Sequence, residues 1–302
     1  MLRRDAGKEG GNLILLIVFG VVISFLFFYK SRAYASPYEE KIRVVTTINV
    51  LSDWVEKVGG NRVKVRSIIT DPRTDIMRYD PKNDVSLLQR AQIFVNIGRY
   101  LEVWAPKLLK MCNNRHLRVI ILTKGIPLMN RNPYIWFDPA AISNSLNEIR
   151  RALTKVSSEN ASMFQRNMEH YQMSIDGLFD AGRRSLSSVA ASERKVVSIS
   201  PEFSYLFVAL GIKEEAVLLS YQGGYVSNKK IDSFVNKIKE ENIKYIVVSE
   251  RTMIPVTEVI KEATGVKEIR LSPFLNLVPG THDYVHLLRY NIENVISAFK
   301  RR

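Results

Sequence analysis

The sequence predicts an α/β protein built as two α/β lobes joined by one long rigid helix. Three observations carry that expectation. Short β-branched or apolar runs alternate with helix-spaced segments from residue 41 to about 156. A second alternating series of similar size begins at residue 195. Between them, residues 158–190 hold no proline and repeat an apolar or small residue every three or four positions, the period of one helical face. Alternating strand and helix patterns build parallel sheets covered by helices, so two such series imply two lobes. The expected organisation is a signal peptide or membrane anchor over residues 1–36, a first lobe over 38–156, a linking helix over 158–190 and a second lobe over 192–302.

In the first series, residues 41–48 are rich in Val, Ile and Thr and read as a strand. Residues 50–58 read as a helix stopped by Gly59-Gly60. Strands follow at 63–69, 93–97 and 118–122, with a short helix opening at Asp84 and a longer one over 101–110. Asp138-Pro139 then opens a helix, because Asp suits the N-cap and Pro the first helical position. Its apolar face is Ile142, Leu146, Ile149, Leu153 and Val156. The linking segment carries its stripe on Ala161, Phe164, Met168, Tyr171, Ile175, Leu178, Gly182, Leu186 and Val189. As one helix it is roughly 45 Å long, a stiff spine that permits little hinge motion. In the second series, strands are expected at 196–199, 216–219, 245–248 and 267–271, alternating with helices that end near 210, 241 and 264. A closing helix over 287–299 places Leu288, Ile292, Val295 and Phe299 on one face.

The formal charge of +14 attracts anionic surfaces. The Lys and Arg residues are scattered, however, with their densest cluster at 228–239, and no RNA- or DNA-reading motif accompanies them. The reading is a solvated, membrane-facing surface with no nucleic-acid partner. At the N-terminus Arg3, Arg4 and Lys8 precede an apolar run over 13–28, followed by Ala33-Tyr34-Ala35-Ser36. A basic start, an apolar middle and a small-x-small end form an export signal. The run is roughly 24 Å long as a helix, short against a hydrocarbon core of about 30 Å. Cleavage after Ala35 and retention as an anchor both fit, and both place the rest of the chain in the periplasm or on the outer face of the cytoplasmic membrane. No cysteine lies near the run, so the chain is not expected to be a lipoprotein.

Chemistry-bearing motifs are sparse. Neither G-x-G-x-x-G nor a P-loop appears, nor H-E-x-x-H, nor G-x-S-x-G. Four histidines and one cysteine, Cys112, leave a nucleophile–base site little to draw on, and a lone cysteine builds neither an internal disulfide nor a thiolate metal site. No enzymatic activity is expected.

Several ordered segments carry a resemblance. They are Val44-Val45-Thr46-Thr47-Ile48 and the turn Val58-Gly59-Gly60-Asn61-Arg62-Val63, then Tyr79-Asp80-Pro81-Lys82-Asn83-Asp84-Val85 against Y-E-P-x-x-x-D-V. Leu101-Glu102-Val103-Trp104 matches L-E-x-W, Tyr134-Ile135-Trp136-Phe137-Asp138-Pro139 matches H-x-W-x-D-P, and residues 284–291 match Y-x-x-x-x-R-Y-N. Over residues 41–300 the chain resembles the metal-binding proteins of zinc and manganese ABC importers. That resemblance implies two lobes on a helical backbone, a ligand cleft between them and an importer permease in the membrane as partner.

The same resemblance places the family's metal ligands at Met77, Tyr134, Ser200 and Ser272. Zinc and manganese want imidazole nitrogen and carboxylate oxygen. A thioether, a phenol and two hydroxyls supply neither, so these positions are expected to meet between the lobes yet hold either metal weakly or not at all. The cofactor is therefore unknown, and the cargo is either a small ligand or a metal. Asp71, Arg73, Asp75 and Arg78 can rebuild a polar pocket, although a solvated loop is the simpler reading. Glu202 reads as the acidic residue of a helix's first turn. His282 and His286 lie four apart, a spacing that presents two ligands on one helix face, although ordinary surface histidines are the simpler reading. Two functions stay open. One is a solute-binding protein of a metal-type importer, degenerate at its metal site. The other is an accessory, regulatory or adhesion module on the same fold.

Overall fold

The computed structural model describes residues 40–98, 100–251 and 255–300. The targeting segment expected over residues 1–36 lies outside these. Among the described residues no helix is long and apolar enough to cross a membrane.

The first lobe runs β1 (Ile42–Ile48), α1 (Asn49–Gly59), β2 (Val63–Ile69), α2 (Val85–Gln89), β3 (Ile93–Asn96), α3 (Ala105–Cys112), β4 (Arg118–Ile121) and α4 (Pro139–Val156). The long helix α5 (Ala161–Leu186) follows. The second lobe runs β5 (Lys195–Ser198), α6 (Ser204–Leu210), β6 (Lys213–Val217), α7 (Asn228–Glu240), β7 (Tyr245–Ser249), α8 (Val256–Thr264), β8 (Lys267–Leu271) and α9 (Tyr284–Lys300). Both sheets are parallel and share one order, β2-β1-β3-β4 and β6-β5-β7-β8. In each, the first strand lies between the second and third, so chain direction across the sheet reverses there. In open α/β sheets that reversal opens a crevice at the carboxyl ends of the strands, where ligands sit.

Helix α4 begins as its sequence predicts. The Asp138 carboxylate accepts from the Ala140 N–H at 3.0 Å, capping the first turn, with Pro139 next. Helix α5 is shorter than the expected span: one 3-10 turn covers Ser158–Asn160, and the α-helix ends at Leu186. The Ser187 hydroxyl donates to the Arg184 carbonyl at 2.8 Å, taking one of the acceptors a further turn would have used. At 26 residues the helix is about 39 Å long. Phe164, Met168, Tyr171, Ile175, Phe179, Gly182 and Leu186 form its buried stripe. The stripe packs on α1 and α4 of the first lobe and on α6 and α9 of the second. A continuous apolar core consequently runs through both lobes, while a separate cluster around Phe234, Ile246 and Ile260 fills the other face of the second sheet under α7 and α8.

Three further elements differ from the sequence reading. Residues 101–104 form a turn, not the start of a helix, because the Leu101 and Glu102 N–H groups both donate to the Gly98 carbonyl. Strand β6 begins three residues earlier than expected, at Lys213. It is an edge strand carrying Lys213, Glu214 and Glu215, so it shows charge where an apolar pattern was sought. Helix α9 starts at Tyr284 rather than 287.

The motifs that carried the resemblance are structural. Glu102 is fully buried, accepting from Thr47 Oγ1 at 2.5 Å and from the Ile97 and Gly98 N–H groups at 3.2 and 2.8 Å. Trp104 Nε1 donates to the Ile76 carbonyl at 2.7 Å and anchors the irregular loop after β2. Trp136 Nε1 donates to the Pro273 carbonyl at 2.9 Å, and the Tyr284 hydroxyl donates to the Trp136 carbonyl. Asn291 accepts from the Ser272 N–H and donates to the Ser272 carbonyl, each at 2.8 Å.

Two glycines of α5 should respond oppositely to substitution. A Cβ on Gly182 would lie 2.7 Å from Leu210 Cδ2 and 3.0 Å from Ile292 Cγ2, whereas Gly177 has no neighbour within 4 Å. Gly177→Ala should stabilise by up to about 1 kcal/mol through helix propensity. Gly182→Leu should destabilise by about 1–3 kcal/mol through overpacking. Urea unfolding of both variants checks the contrast. Burial raises the Glu102 carboxyl from 4.5 to about 7, against the pull of its donors. Between those values the folded state keeps a proton that the unfolded chain releases, so stability present below pH 4.5 is lost as pH rises through about 7. Relative to Glu102→Gln, the wild type should lose about 3 kcal/mol of unfolding free energy across that window. Parallel pH profiles for the two proteins would refute the assignment.

Candidate functional site

The crevice anticipated from the strand order is present. A cavity of about 270 Å³ is lined by Asp75, Ile76, Met77 and Arg78 from the loop after β2, Leu101 after β3, and Tyr134. From the second lobe come Ile199 to Glu202 after β5, Leu219 to Gly224 after β6, and Ser249 and Arg251 after β7. Every contributing segment leaves the carboxyl end of a strand except Tyr134, which lies just ahead of α4.

Three of the four positions singled out in the sequence line this cavity: Met77, Tyr134 and Ser200. Ser272 does not. It is fully buried, its hydroxyl donates to the Phe274 carbonyl at 2.9 Å, and its backbone is held by Asn291. Met77 is half-buried, and its N–H donates to Asp75 Oδ1 at 3.1 Å. Asp75 and Glu202 also face the cavity, whereas His282 is not among its lining residues. Asp71 lines a smaller neighbouring recess with Asn49 and Phe274.

The polar centre of the cavity is the carboxylate of Glu202. It sits in a 3-10 turn, Pro201–Phe203, with its side chain only 5% exposed. Ser200 Oγ donates to it at 3.2 Å, and the Ser249 and Tyr134 hydroxyls also hydrogen-bond to it. Facing it is Arg251, with Nη1 3.8 Å from Glu202 Oε1. The guanidinium also donates to the Thr74 carbonyl across the cleft at 3.4 Å, and it lies 5.5 Å from the centroid of the Phe274 ring. Burial raises the Glu202 carboxyl above its ordinary range, opposed by the Ser249 hydrogen bond and the Arg251 charge. Burial likewise raises the Tyr134 hydroxyl, and the nearby Glu202 charge raises it further, so this phenol stays protonated.

Arg251 is the residue that sequence reasoning missed. It belongs to no motif and follows β7 by two positions, and only the β5–β7 pairing brings it to Glu202. The available signal was a pair of polar triplets, Ser200-Pro201-Glu202 and Ser249-Glu250-Arg251, closing two strands that the order of a parallel sheet makes neighbours.

Comparison with known proteins places this architecture among relatives. Residues 44–298 match the family described as zinc-uptake complex component A, periplasmic. The iron-binding protein YfeA of Yersinia pestis is 28% identical over 306 residues, covering 95% of each chain. The zinc-binding lipoprotein AdcA of Streptococcus pneumoniae is 22% identical over 277 residues, 84% of this chain but only 55% of AdcA. A periplasmic metal binding protein from Candidatus Liberibacter asiaticus shares the fold at a TM-score of 0.76, covering 86% of this chain and all of that one at 19% identity.

Breaking the cleft pair should be costly from either side. Arg251→Ala strands a buried carboxylate and should destabilise by about 3 kcal/mol. Glu202→Gln in the Arg251→Ala background should recover part of that loss, because the carboxylate is then gone. Strictly additive losses in a double-mutant cycle by chemical denaturation would show that the two groups do not interact.

Proposed function

We propose that this chain, which belongs to the family of the periplasmic A component of zinc-uptake complexes, is an extracytoplasmic solute-binding protein whose cleft no longer takes zinc or manganese as cargo. The family is that of the solute-binding proteins of metal-type ABC importers, a transport component and not an enzyme. Its description as an uptake component favours transport over an accessory or adhesion role.

The observation that carries the reading is Arg251, a cation built into the cleft. A divalent ion about 4 Å from both Glu202 and Arg251 would gain about 8 kcal/mol from the carboxylate and lose about as much to the guanidinium, at an effective dielectric near 20. The balance is close to zero, so little offsets the dehydration of the ion. If Glu202 takes up a proton, the attraction vanishes and the repulsion stays. The remaining donors at the family positions, the Met77 thioether, the protonated Tyr134 phenol and the Ser200 hydroxyl, add neither imidazole nor anion. Ser272 is committed to the Phe274 carbonyl. Arg251 instead touches both walls of the cleft, reaching Thr74 on one side and Glu202 on the other, where a bound metal would otherwise join them. The cavity that remains is polar, with Asp75, Arg78, Ser220 and Gln222 on its wall, and suits a small polar solute. The partner in this reading is the importer permease.

Relatives in this family act outside the cytoplasmic membrane. The S. pneumoniae relative is a lipoprotein, so kinship does not support the expectation that this chain is not one. The support for a non-lipidated chain is that its single cysteine is Cys112, buried in α3.

Calorimetric titration of the metal-stripped full-length chain tests the proposal. Zinc and manganese should show no submicromolar binding that depends on Glu202. Met77→His, Tyr134→His and Arg251→Ala combined should gain at least about tenfold in zinc affinity, the equivalent of about 1.4 kcal/mol. Stoichiometric submicromolar binding by the wild type, lost in Glu202→Gln, would overturn the reading.

A further inference from the structure

We propose a surface site for a borderline divalent transition cation, of the class of zinc, copper(II) or nickel, formed by His282, Asp283 and His286 outside the cleft. Among the described residues these form the one cluster of three His, Cys, Asp or Glu side chains close enough to share an ion, with their ligand atoms all within 4.8 Å of one another. His282 Nε2 lies 3.8 Å from Asp283 Oδ2, His286 Nδ1 lies 2.8 Å from Asp283 Oδ1, and the two imidazole rings are 4.3 Å apart. Two atoms each about 2.1 Å from one ion can lie up to about 4.2 Å apart, so small rotations of these side chains close a three-ligand shell. Two imidazoles and a carboxylate are the donor set that zinc and its neighbours prefer over magnesium or calcium.

The backbone under the cluster is held in place. Thr281 and Tyr284, which flank His282 and Asp283, are buried, and the Thr281 hydroxyl donates to the Val278 carbonyl at 2.6 Å. Asp283 Oδ1 caps α9 by accepting from the His286 N–H at 2.9 Å, which leaves Oδ2 for a ligand. The two histidine side chains are 64% and 47% exposed, so water can complete a tetrahedral shell. Two features oppose binding and set its strength. The N-terminal end of a helix is electropositive, and Lys57 Nζ lies 3.6 Å from Asp283 Oδ2. Both weaken the site, with Lys57 as its built-in competitor.

The cluster shares no residue with the cavity, so the proposal stands independently of the cleft reading. The test is zinc titration of the metal-stripped full-length chain by calorimetry, with three variants. One zinc per chain is expected in the wild type, weakened at least about tenfold when His282→Ala and His286→Ala are combined, because two of the three ligands are gone. Lys57→Met should tighten binding by about threefold, as removal of an exposed ion-pair partner permits. Glu202→Gln should leave it unchanged. Absence of zinc binding in the wild type, or undiminished binding in the double histidine variant, overturns the site. Binding lost in Glu202→Gln but kept in the double histidine variant overturns both this site and the cleft reading, and the two failures are thereby distinguishable.

Discussion

Trp136 fastens the two lobes together, and the geometry of the cleft depends on it. Its indole N–H reaches the Pro273 carbonyl in the second lobe, and its own carbonyl accepts from Tyr284 at the head of α9. Its ring packs on Tyr134 at 5.0 Å and on Phe274 at 5.6 Å, so one side chain aligns a cavity wall with the ring beneath Arg251. A second fastening lies behind it, where the Tyr171 hydroxyl of α5 donates to Asp53 Oδ2 of α1 at 2.5 Å and the Tyr284 N–H also reaches that carboxylate. Each of these groups is buried, so separating the lobes would leave several polar groups unpaired at once. Asn132 adds a third tie, its amide donating to the Pro201 carbonyl at 2.6 Å, one residue before Glu202.

That arrangement separates the residues that carry the family motifs from those that line the cleft. Glu102, Trp104, Trp136, Tyr284 and Asn291 serve buried hydrogen bonds whose loss would unfold the frame. Met77, Tyr134 and Ser200 face a cavity, where a side chain can change without stranding a backbone partner. A family resemblance read from frame residues therefore transfers the fold securely and transfers the cargo hardly at all.

The same distinction sets how much was legible in the sequence. Helix α4 was legible to the residue, because Asp138-Pro139 is a local signal and Ile142, Leu146, Ile149 and Leu153 follow at helical spacing. The α5 stripe was legible as a period, but its end was not, since serine hydroxyls compete for the last carbonyls without disturbing the apolar pattern. Strand β6 was misplaced because an edge strand answers to solvent on one side and can be charged. The pairing of Glu202 with Arg251 spans two crossovers, and no local pattern encodes a contact made only when β5 and β7 align. Ser272 shows the converse: the family resemblance places it with the cleft positions, whereas its hydroxyl serves a carbonyl two residues on and it does not line the cavity.

Burial of the aromatic residues has an optical consequence. Trp54 and Trp136 are fully enclosed and Trp104 is only 6% exposed, and these are the three tryptophans of the chain. One of them spans the two lobes, Trp136 reaching Pro273 in the second. If the lobes part, Trp136 would pass from an apolar, hydrogen-bonded cage towards water, and indole emission shifts to the red on that passage. The native protein thus carries its own fluorescent gauge of lobe separation, with no added dye, and a solute that holds the lobes shut would be recognised by the colour of the light.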